Sequence, residues 1–379
     1  MPNVLLVSIA SFFDSTAEIP NIFKRAGCKV DVFCDKSSWL LSNKFFDNWI
    51  ETSSNEEIFR DNLLKLIHDK PNYYSWILLL EDVTIKLMNE YIQTDEELFK
   101  KIMPINKIEN RAILSSKAGL SNICSKYGIP TPGFVSYREG MDVDQIIGQL
   151  EFPVLVKVDF SFSGHGIQYC EHPAGLQHCI DNVDNKEGLV IQEYITGKDI
   201  GVEALFKEGK LITYNCGDVL SYMNNKFSFT TRRIYYQSRE IEAHLQYLGE
   251  NVGMNGFASM QYVFHPGRKV YYLLEVDART NSWVPYSRFT GHDFADGIRR
   301  IMNGQLTADE KLPDNYDKHV EIAIFDRDLR RCVKEKDFKG LVKWLINYNG
   351  CWKFIPWYDF VYFRRLIGKQ LRNFVGIKN

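Results

Sequence analysis

Tyr271-Tyr272-Leu273-Leu274-Glu275-Val276-Asp277-Ala278-Arg279-Thr280-Asn281 is the stretch on which the reading of this chain turns. Its first half mixes aromatic and branched residues, which predicts a strand lying against a core. Residues two apart on a strand share a face. Glu275, Asp277 and Arg279 therefore project together, with Leu274, Val276 and Ala278 opposite. Carboxylates supply oxygen ligands to Mg²⁺, which also takes phosphate oxygens, and arginine offers a planar fork that fits phosphate or carboxylate. On this stretch alone a solvated face with a surface ion pair is an equally good reading, because exposed pairs are common and weak. The rest of the chain decides between them.

At 379 residues the chain exceeds what one core usually holds, so two or three domains are expected. It is 45% hydrophobic and 25% charged with a net charge of −2, a balance that gives no reason to expect a nucleic-acid partner. The opening Met1-Pro2-Asn3-Val4-Leu5-Leu6-Val7 has no basic n-region and only a short apolar run, so it does not read as a signal peptide. No apolar run approaches the roughly 20 residues needed to span a bilayer. The eight cysteines are scattered, without a CxxC pair. That pattern fits reduced thiols in a cytoplasm better than a disulfide framework or a zinc site.

Along 1–105, strand patterns at 4–9, 29–34 and 76–80 alternate with helical patterns at 17–26 and 55–68. Such alternation predicts a small parallel α/β sheet, a Rossmann-like unit. The first strand runs into Ser8-Ile9-Ala10-Ser11-Phe12-Phe13 without a glycine fingerprint, which argues against a dinucleotide site. Glu81 and Asp82 stand at a strand's carboxyl end, where α/β sheets bind ligands, but a helix cap is the favoured role.

A second unit begins near Asn106. A helical pattern over 111–127 stops at Gly128-Ile129-Pro130-Thr131-Pro132. Phe152-Pro153-Val154-Leu155-Val156-Lys157-Val158 then reads as a buried strand that opens into Asp159-Phe160-Ser161-Phe162-Ser163-Gly164-His165-Gly166. Glycines in a serine-rich loop let backbone N–H groups converge on an anion, although most such loops are plain turns. Lys157 is harder to dismiss, since an ammonium in an apolar strand needs an anionic partner. Downstream come Gln192-Glu193-Tyr194-Ile195-Thr196-Gly197-Lys198-Asp199, a strand at 200–206, a β pattern at 227–236 with Arg232 and Arg233, another at 257–264, and a helix over 291–302.

Taken together these pieces resemble the ATP-grasp superfamily, in its carboxylate–amine ligase branch. A lysine-bearing helix ends in GIPTP, FPVLVK leads into a glycine loop, QEYITGKD follows, and the strand LLEVDAR closes the order. The likeness covers roughly 106–304. It implies an N-terminal α/β unit (1–105), two ATP-grasp subdomains (106–190 and 191–305) and a mainly helical C-terminal extension (306–379). It implies ATP held by Lys117, Lys157, the loop residues Ser161, Ser163, Gly164, His165 and Gly166, the hinge Glu193, Tyr194 and Ile195, and Asp199 at the ribose. Glu275, Asp277 and Gln261 correspond to ligands for two Mg²⁺ ions, with Mn²⁺ as an alternative. Arg279 and Lys157 correspond to catalytic groups; Arg232 and Arg233 face opposite sides of their strand, so one of them is expected in the cleft, and Arg232 is taken as the catalytic candidate. The chain departs from the family's pattern at Gln261, where an acid is usual, and at Asp277, where asparagine is usual; the two changes balance in charge. Asp159 after Lys157 is a lesser departure.

The resemblance implies an ADP-forming enzyme that activates a small-molecule carboxylate as an acylphosphate and joins it to an amine. A small-molecule kinase and a non-catalytic nucleotide-binding regulator are the rival expectations. A homodimer and a cytoplasmic location are also expected. Residues 318–379 carry fourteen Lys/Arg, six Asp/Glu and a dense aromatic run. Packing of those aromatics over the core, with the lysines in water, is favoured over contact with a membrane surface.

Overall fold

The computed structural model describes residues 1–114, 116–161, 166–183, 188–305 and 318–375, the side chains of 373–375 excepted. Val4 to Val7 and Trp76 to Leu79 are apolar on both faces, as strands covered on both sides must be. They form the middle of a parallel sheet in which β1 (Asn3–Ser8), β2 (Lys29–Cys34), β3 (Asn48–Glu51) and β4 (Trp76–Leu79) lie in the order β3-β2-β1-β4. The α/β reading of the N-terminal region therefore holds. Helices Ile19–Arg25 and Glu56–Asp69 cover the sheet, the second started by Asn55, whose side chain accepts the Ile58 N–H at 3.1 Å. Glu81 does cap a helix: its carboxylate takes the Thr84 N–H at 3.0 Å and the Ile9 N–H at 2.9 Å. The helix over 111–127 is shorter than its pattern. A 3₁₀ turn occupies Ile108–Ile113, and the α-helix runs Lys117–Tyr127, between a Ser116 cap and Gly128 in the left-handed conformation at φ 64°.

A second, antiparallel sheet holds β5 (Phe134–Tyr137), β6 (Val154–Val158), β7 (Gln168–Cys170) and β8 (Leu189–Glu193) in the order β5-β8-β6-β7. Its core, with Val135, Ile146, Val154, Val156, Leu189 and Ile191, is its own. The third sheet has six strands. These are β9 (Lys198–Lys207), β10 (Lys210–Tyr222), β11 (Thr230–Tyr236), β12 (Gly256–His265), β13 (Val270–Asp277) and β14 (Val320–Ala323), in the order β13-β12-β9-β10-β11-β14. One continuous core joins this sheet to the N-terminal one: Leu5, Val7, Ile77 and Leu79 belong to the same cluster as Ile200, Val202, Tyr262 and Leu273.

β14 comes from the C-terminal extension, which is otherwise helical over Phe325–Lys334, Phe338–Leu345 and Phe360–Val375. Part of its aromatic run packs inward as expected. Trp344, Phe354 and Ile355 bury against Tyr235, Trp283 and Tyr286, and Tyr362 and Leu366 reach Ala17 and Trp39 of the N-terminal unit. Phe338, Trp352, Trp357 and Phe360 stay exposed. Among the described residues no helix is long and apolar enough to cross a membrane.

Candidate active site

A cavity of about 530 Å³ lies where the three sheets meet. Its floor is the strand pair β12–β13. Antiparallel register sets Gln261 against Glu275 and Ser259 against Asp277, so the two acids and the amide share one face. The alternation is broken once. Leu274 has no partner opposite it, because Tyr262 pairs with Leu273; a bulge there puts Leu273 in the core and turns Leu274 to the cavity. The expected grouping of Leu274 with Val276 and Ala278 is corrected by that extra residue. Asp277 Oδ2 lies 3.0 Å from Arg279 Nη2, and Asp82 closes on the same nitrogen at 2.7 Å. Burial pushes the Asp277 carboxyl up to about 8; Arg279 opposes this, and the nearby charges of Glu275 and Asp82 add to it. Arg279 is buried too, but Asp277 and Asp82 hold its pKa above the ordinary value. Asp82, read from the sequence as a cap, thus belongs to the site, at the carboxyl edge of the parallel sheet.

Both lysines face this floor from the other side. Lys157 on β6 is 8% exposed, and its Nζ donates to Gln192 Oε1 on β8 at 2.6 Å. With no carboxylate in contact among the described residues, its pKa falls to about 8, chiefly through burial, which Glu275 partly offsets and Lys117 reinforces. Lys117 stands in the first turn of its helix and donates to Asp159 O at 3.1 Å, Ser161 O at 3.0 Å and Ser161 Oγ at 3.2 Å. Asp159 explains its own presence: it accepts the Ala118 N–H at 2.8 Å and the Ser116 hydroxyl at 2.9 Å, tying the glycine-loop strand to that helix. Ser163, Gly164 and His165 lie outside the described residues. Gly166 adopts φ 73° but does not line the cavity.

The 193–195 segment lines one end. The Glu193 carboxylate accepts the N–H groups of Gly133 at 3.1 Å and Glu151 at 2.8 Å, clasping the hinge to the neighbouring backbone. Tyr194 gives its N–H to Pro153 O at 2.9 Å. The Ile195 N–H has no acceptor among the described residues, which leaves it as the amide of the three that can meet a base. Asp199 also lines the cavity, bonded by the Tyr222 hydroxyl and 3.7 Å from Lys226 Nζ.

Arg232 is not at the site. Its guanidinium bonds Glu321 at 2.6 Å and Asp328 at 2.6 Å, joining β11 to the extension. Arg233, on the opposite face of β11, lines the cavity, stacks 4.5 Å over Trp283 and pairs with the buried Glu203 at 2.8 Å. Arg288 also stays outside, stacked on Tyr358 at 4.3 Å. Asp82, Gln192 and Arg233 are the site residues that sequence reasoning did not choose.

The donors suit a hard cation. Glu275, Asp277 and Gln261 offer oxygen, and the Asp277 carboxyl, raised chiefly by burial with Glu275 adding to it, would gain from a bound cation. Among the described residues no group of three His, Cys, Asp or Glu side chains is placed to hold a metal.

A family model described as a RimK-like ATP-grasp domain matches residues 114–204. The carbamoyl phosphate synthase large chain of Clostridium perfringens is 28% identical over 192 residues, which is 48% of this chain and 17% of that relative, so the chain spans under a fifth of its length. N5-carboxyaminoimidazole synthetase from Staphylococcus aureus, solved with ADP, superposes with a TM-score of 0.65 at 14% identity, covering 89% of this chain and 86% of that one. An L-amino acid ligase from Bacillus licheniformis gives 0.57 at 16% identity, covering 79% and 74%. Matched domain, shared fold and the order of motifs along the chain agree: residues 114–204 match an ATP-grasp domain, and the chain as a whole is similar in fold to ATP-grasp proteins.

Proposed function

We propose that this chain is an ATP- and Mg²⁺-dependent ligase that activates a small-molecule carboxylate as an acylphosphate and joins it to an amine, releasing ADP and phosphate. The observation that carries this reading is Arg279. It sits at the end of the acid-bearing strand, clamped between Asp277 and Asp82, where the six-stranded sheet meets the carboxyl edge of the parallel sheet. A clamped guanidinium keeps its fork fixed and can take a carboxylate at the point where charge develops. The likeness to ligases and synthetases supports the same class.

In this reading Lys157 and Lys117 hold the phosphates, and the Ile195 amide meets the base. Glu275, Asp277 and Gln261 would hold Mg²⁺, which supplies charge neutralisation on the phosphates when bound. Arg279 orients the acid's carboxylate and steadies the charge on the acyl centre. The enclosing walls keep water from the activated acid, since an acylphosphate open to solvent hydrolyses. Catalysis is then positioning and electrostatics, with no side-chain nucleophile required.

The test is ADP formation with Mg²⁺ across a matrix of carboxylates and amines, amino acids and uronic-acid sugars included, with hydroxylamine present in parallel. Hydroxamate from one acid, and ADP release that depends on an acid–amine pair, is the expected result. Glu275→Ala should abolish turnover with the melting temperature retained. A stable phosphorylated product without an amine would make the chain a kinase, and tight ATP binding with no turnover would make it a regulator.

A further inference from the structure

The cavity does not stop at Arg279. That guanidinium packs 5.8 Å over the Phe13 ring, and the same loop carries Asp14. Asp14 accepts Lys369 Nζ at 2.6 Å and Arg327 Nη2 at 3.2 Å, cations supplied by the C-terminal helices Phe360–Val375 and Phe325–Lys334. Both pairs are enclosed, with the Asp14 side chain 18% exposed. Arg330, one turn beyond Arg327, lines the same end of the cavity, and no hydrogen bond or ion pair among the described residues engages its guanidinium. Gln370 lines it as well and is 9% exposed. Its Nε2 donates to Asp326 Oδ2 at 2.9 Å, while its Oε1 is buried with no donor in reach among the described residues.

Three cations and two acids meet at this end. Asp14 is already shared by two of the cations, and burial works against the charge of Asp326, raising its carboxyl even with Arg327 beside it. Three cations against two acids leave the local balance positive; Arg330 feels the charge of Asp326 but, among the described residues, its guanidinium is in no hydrogen bond or ion pair. A guanidinium on a cavity wall selects a carboxylate or phosphate for its fork. A buried acceptor without a partner calls for a hydroxyl or N–H. Neither feature serves the nucleotide, which the lysines and the 193–195 segment take at the other end. The two features lie on the far side of Arg279, where the acid must extend once its reacting carboxylate is held.

We infer that the Arg330–Gln370 end of the cavity is a subsite for a second anionic group, carboxylate or phosphate, of the acid substrate, with a hydroxyl or amine donor beside it. The inference rests on the reading above that Arg279 takes the reacting carboxylate. It narrows the substrate class to dianionic acids, and it makes the C-terminal extension part of the specificity machinery.

Binding, not turnover, tests it. The full-length protein with ADP and Mg²⁺ is titrated calorimetrically with the diacids from succinate to pimelate, the monoacids of equal length, and the ω-phosphono analogues. The expected result is a dianion that binds at least about tenfold more tightly than its matched monoacid, as one added charge-assisted contact gives. Arg330→Met should remove that preference while MgADP affinity shows the fold intact. Whether the diacid or the phosphono acid wins identifies the anion. Equal binding of monoacids and dianions, absence of acid binding altogether, or an undiminished preference in Arg330→Met would overturn the subsite. The ligase reading stands or falls elsewhere. Dianion preference without any ADP formation would remove the ligase and leave the subsite, whereas efficient ligation of a simple monoacid would do the reverse.

Discussion

Burial strips Lys157 of hydration without giving it a carboxylate in contact among the described residues, and its ammonium meets the Gln192 amide oxygen at 2.6 Å. The resulting pKa of about 8 places a charge transition within reach of ordinary buffers. A polyphosphate binds the charged lysine, so below pH 8 the site is ready; above it most molecules are neutral, and binding must take up a proton. Affinity for MgATP should therefore be level below pH 8 and fall by about tenfold per pH unit well above it. Calorimetry in buffers of different ionisation enthalpy should show proton uptake near pH 9. Lys157→Met should bind more weakly and lose the slope. A wild-type affinity that stays flat from pH 7 to 9.5 would remove Lys157 from the phosphate site.

On the six-stranded sheet, β9 shows how an element can be shaped by one side chain laid across it. A Cβ built on Gly201 would come within 2.1 Å of the Arg233 guanidinium carbon. Gly201→Ala should therefore push Arg233 off its buried partner Glu203, which also takes the Tyr235 hydroxyl at 3.1 Å and the Asn281 amide at 2.9 Å. Breaking a buried pair costs about 3–5 kcal/mol, and denaturant unfolding should show a loss of that order; a loss below about 1 kcal/mol would mean the guanidinium has room to move. This element also marks where reading the chain runs out. Period-two alternation was enough to put Glu275, Asp277 and Arg279 on one face, and to say that Arg232 and Arg233 face apart. It could not say which arginine faces the cavity. That is decided by β14, whose Glu321 draws Arg232 outward from nearly ninety positions along the chain. The bulge at Leu274 was hidden for a related reason, since an unpaired residue is a property of two strands together and a single strand's pattern does not carry it. The backbone partners of Glu193 were hidden as well, because a carboxylate in a hinge motif reads the same whether or not it bonds the N–H groups of Gly133 and Glu151.

Across the whole molecule, the distribution of core decides what can move. Strands of the parallel sheet and of the six-stranded sheet share one apolar cluster, from Leu5 and Ile77 to Val202 and Tyr262. The four-stranded sheet β5–β8 keeps a separate core, eleven buried residues among those described. Its attachments to the rest include a set of polar ties among the described residues: Lys117 to Asp159 and Ser161, Asp159 to Ala118 N, and Arg268 to Glu151 at 2.9 Å. A unit with its own core and polar attachments opens at lower free energy than the body it sits on. Native-state hydrogen exchange should therefore find the amides of β6 and β8 exchanging through a sub-global opening, while those of β1 and β9 exchange only on global unfolding. The proposed nucleotide site joins the two bodies, with Lys157 on β6 and Glu275, Asp277 and Arg279 on or just beyond β13. A ligand bound to the closed form alone stabilises it by RT ln(1 + [L]/Kd), about 2.7 kcal/mol at a hundredfold excess over Kd. MgATP at that excess should slow exchange in β6 and β8 by roughly a hundredfold, bringing them toward the protection of β9. If β6 and β9 exchange at one common free energy without nucleotide, the chain is a single cooperative unit and the nucleotide has no hinge to close.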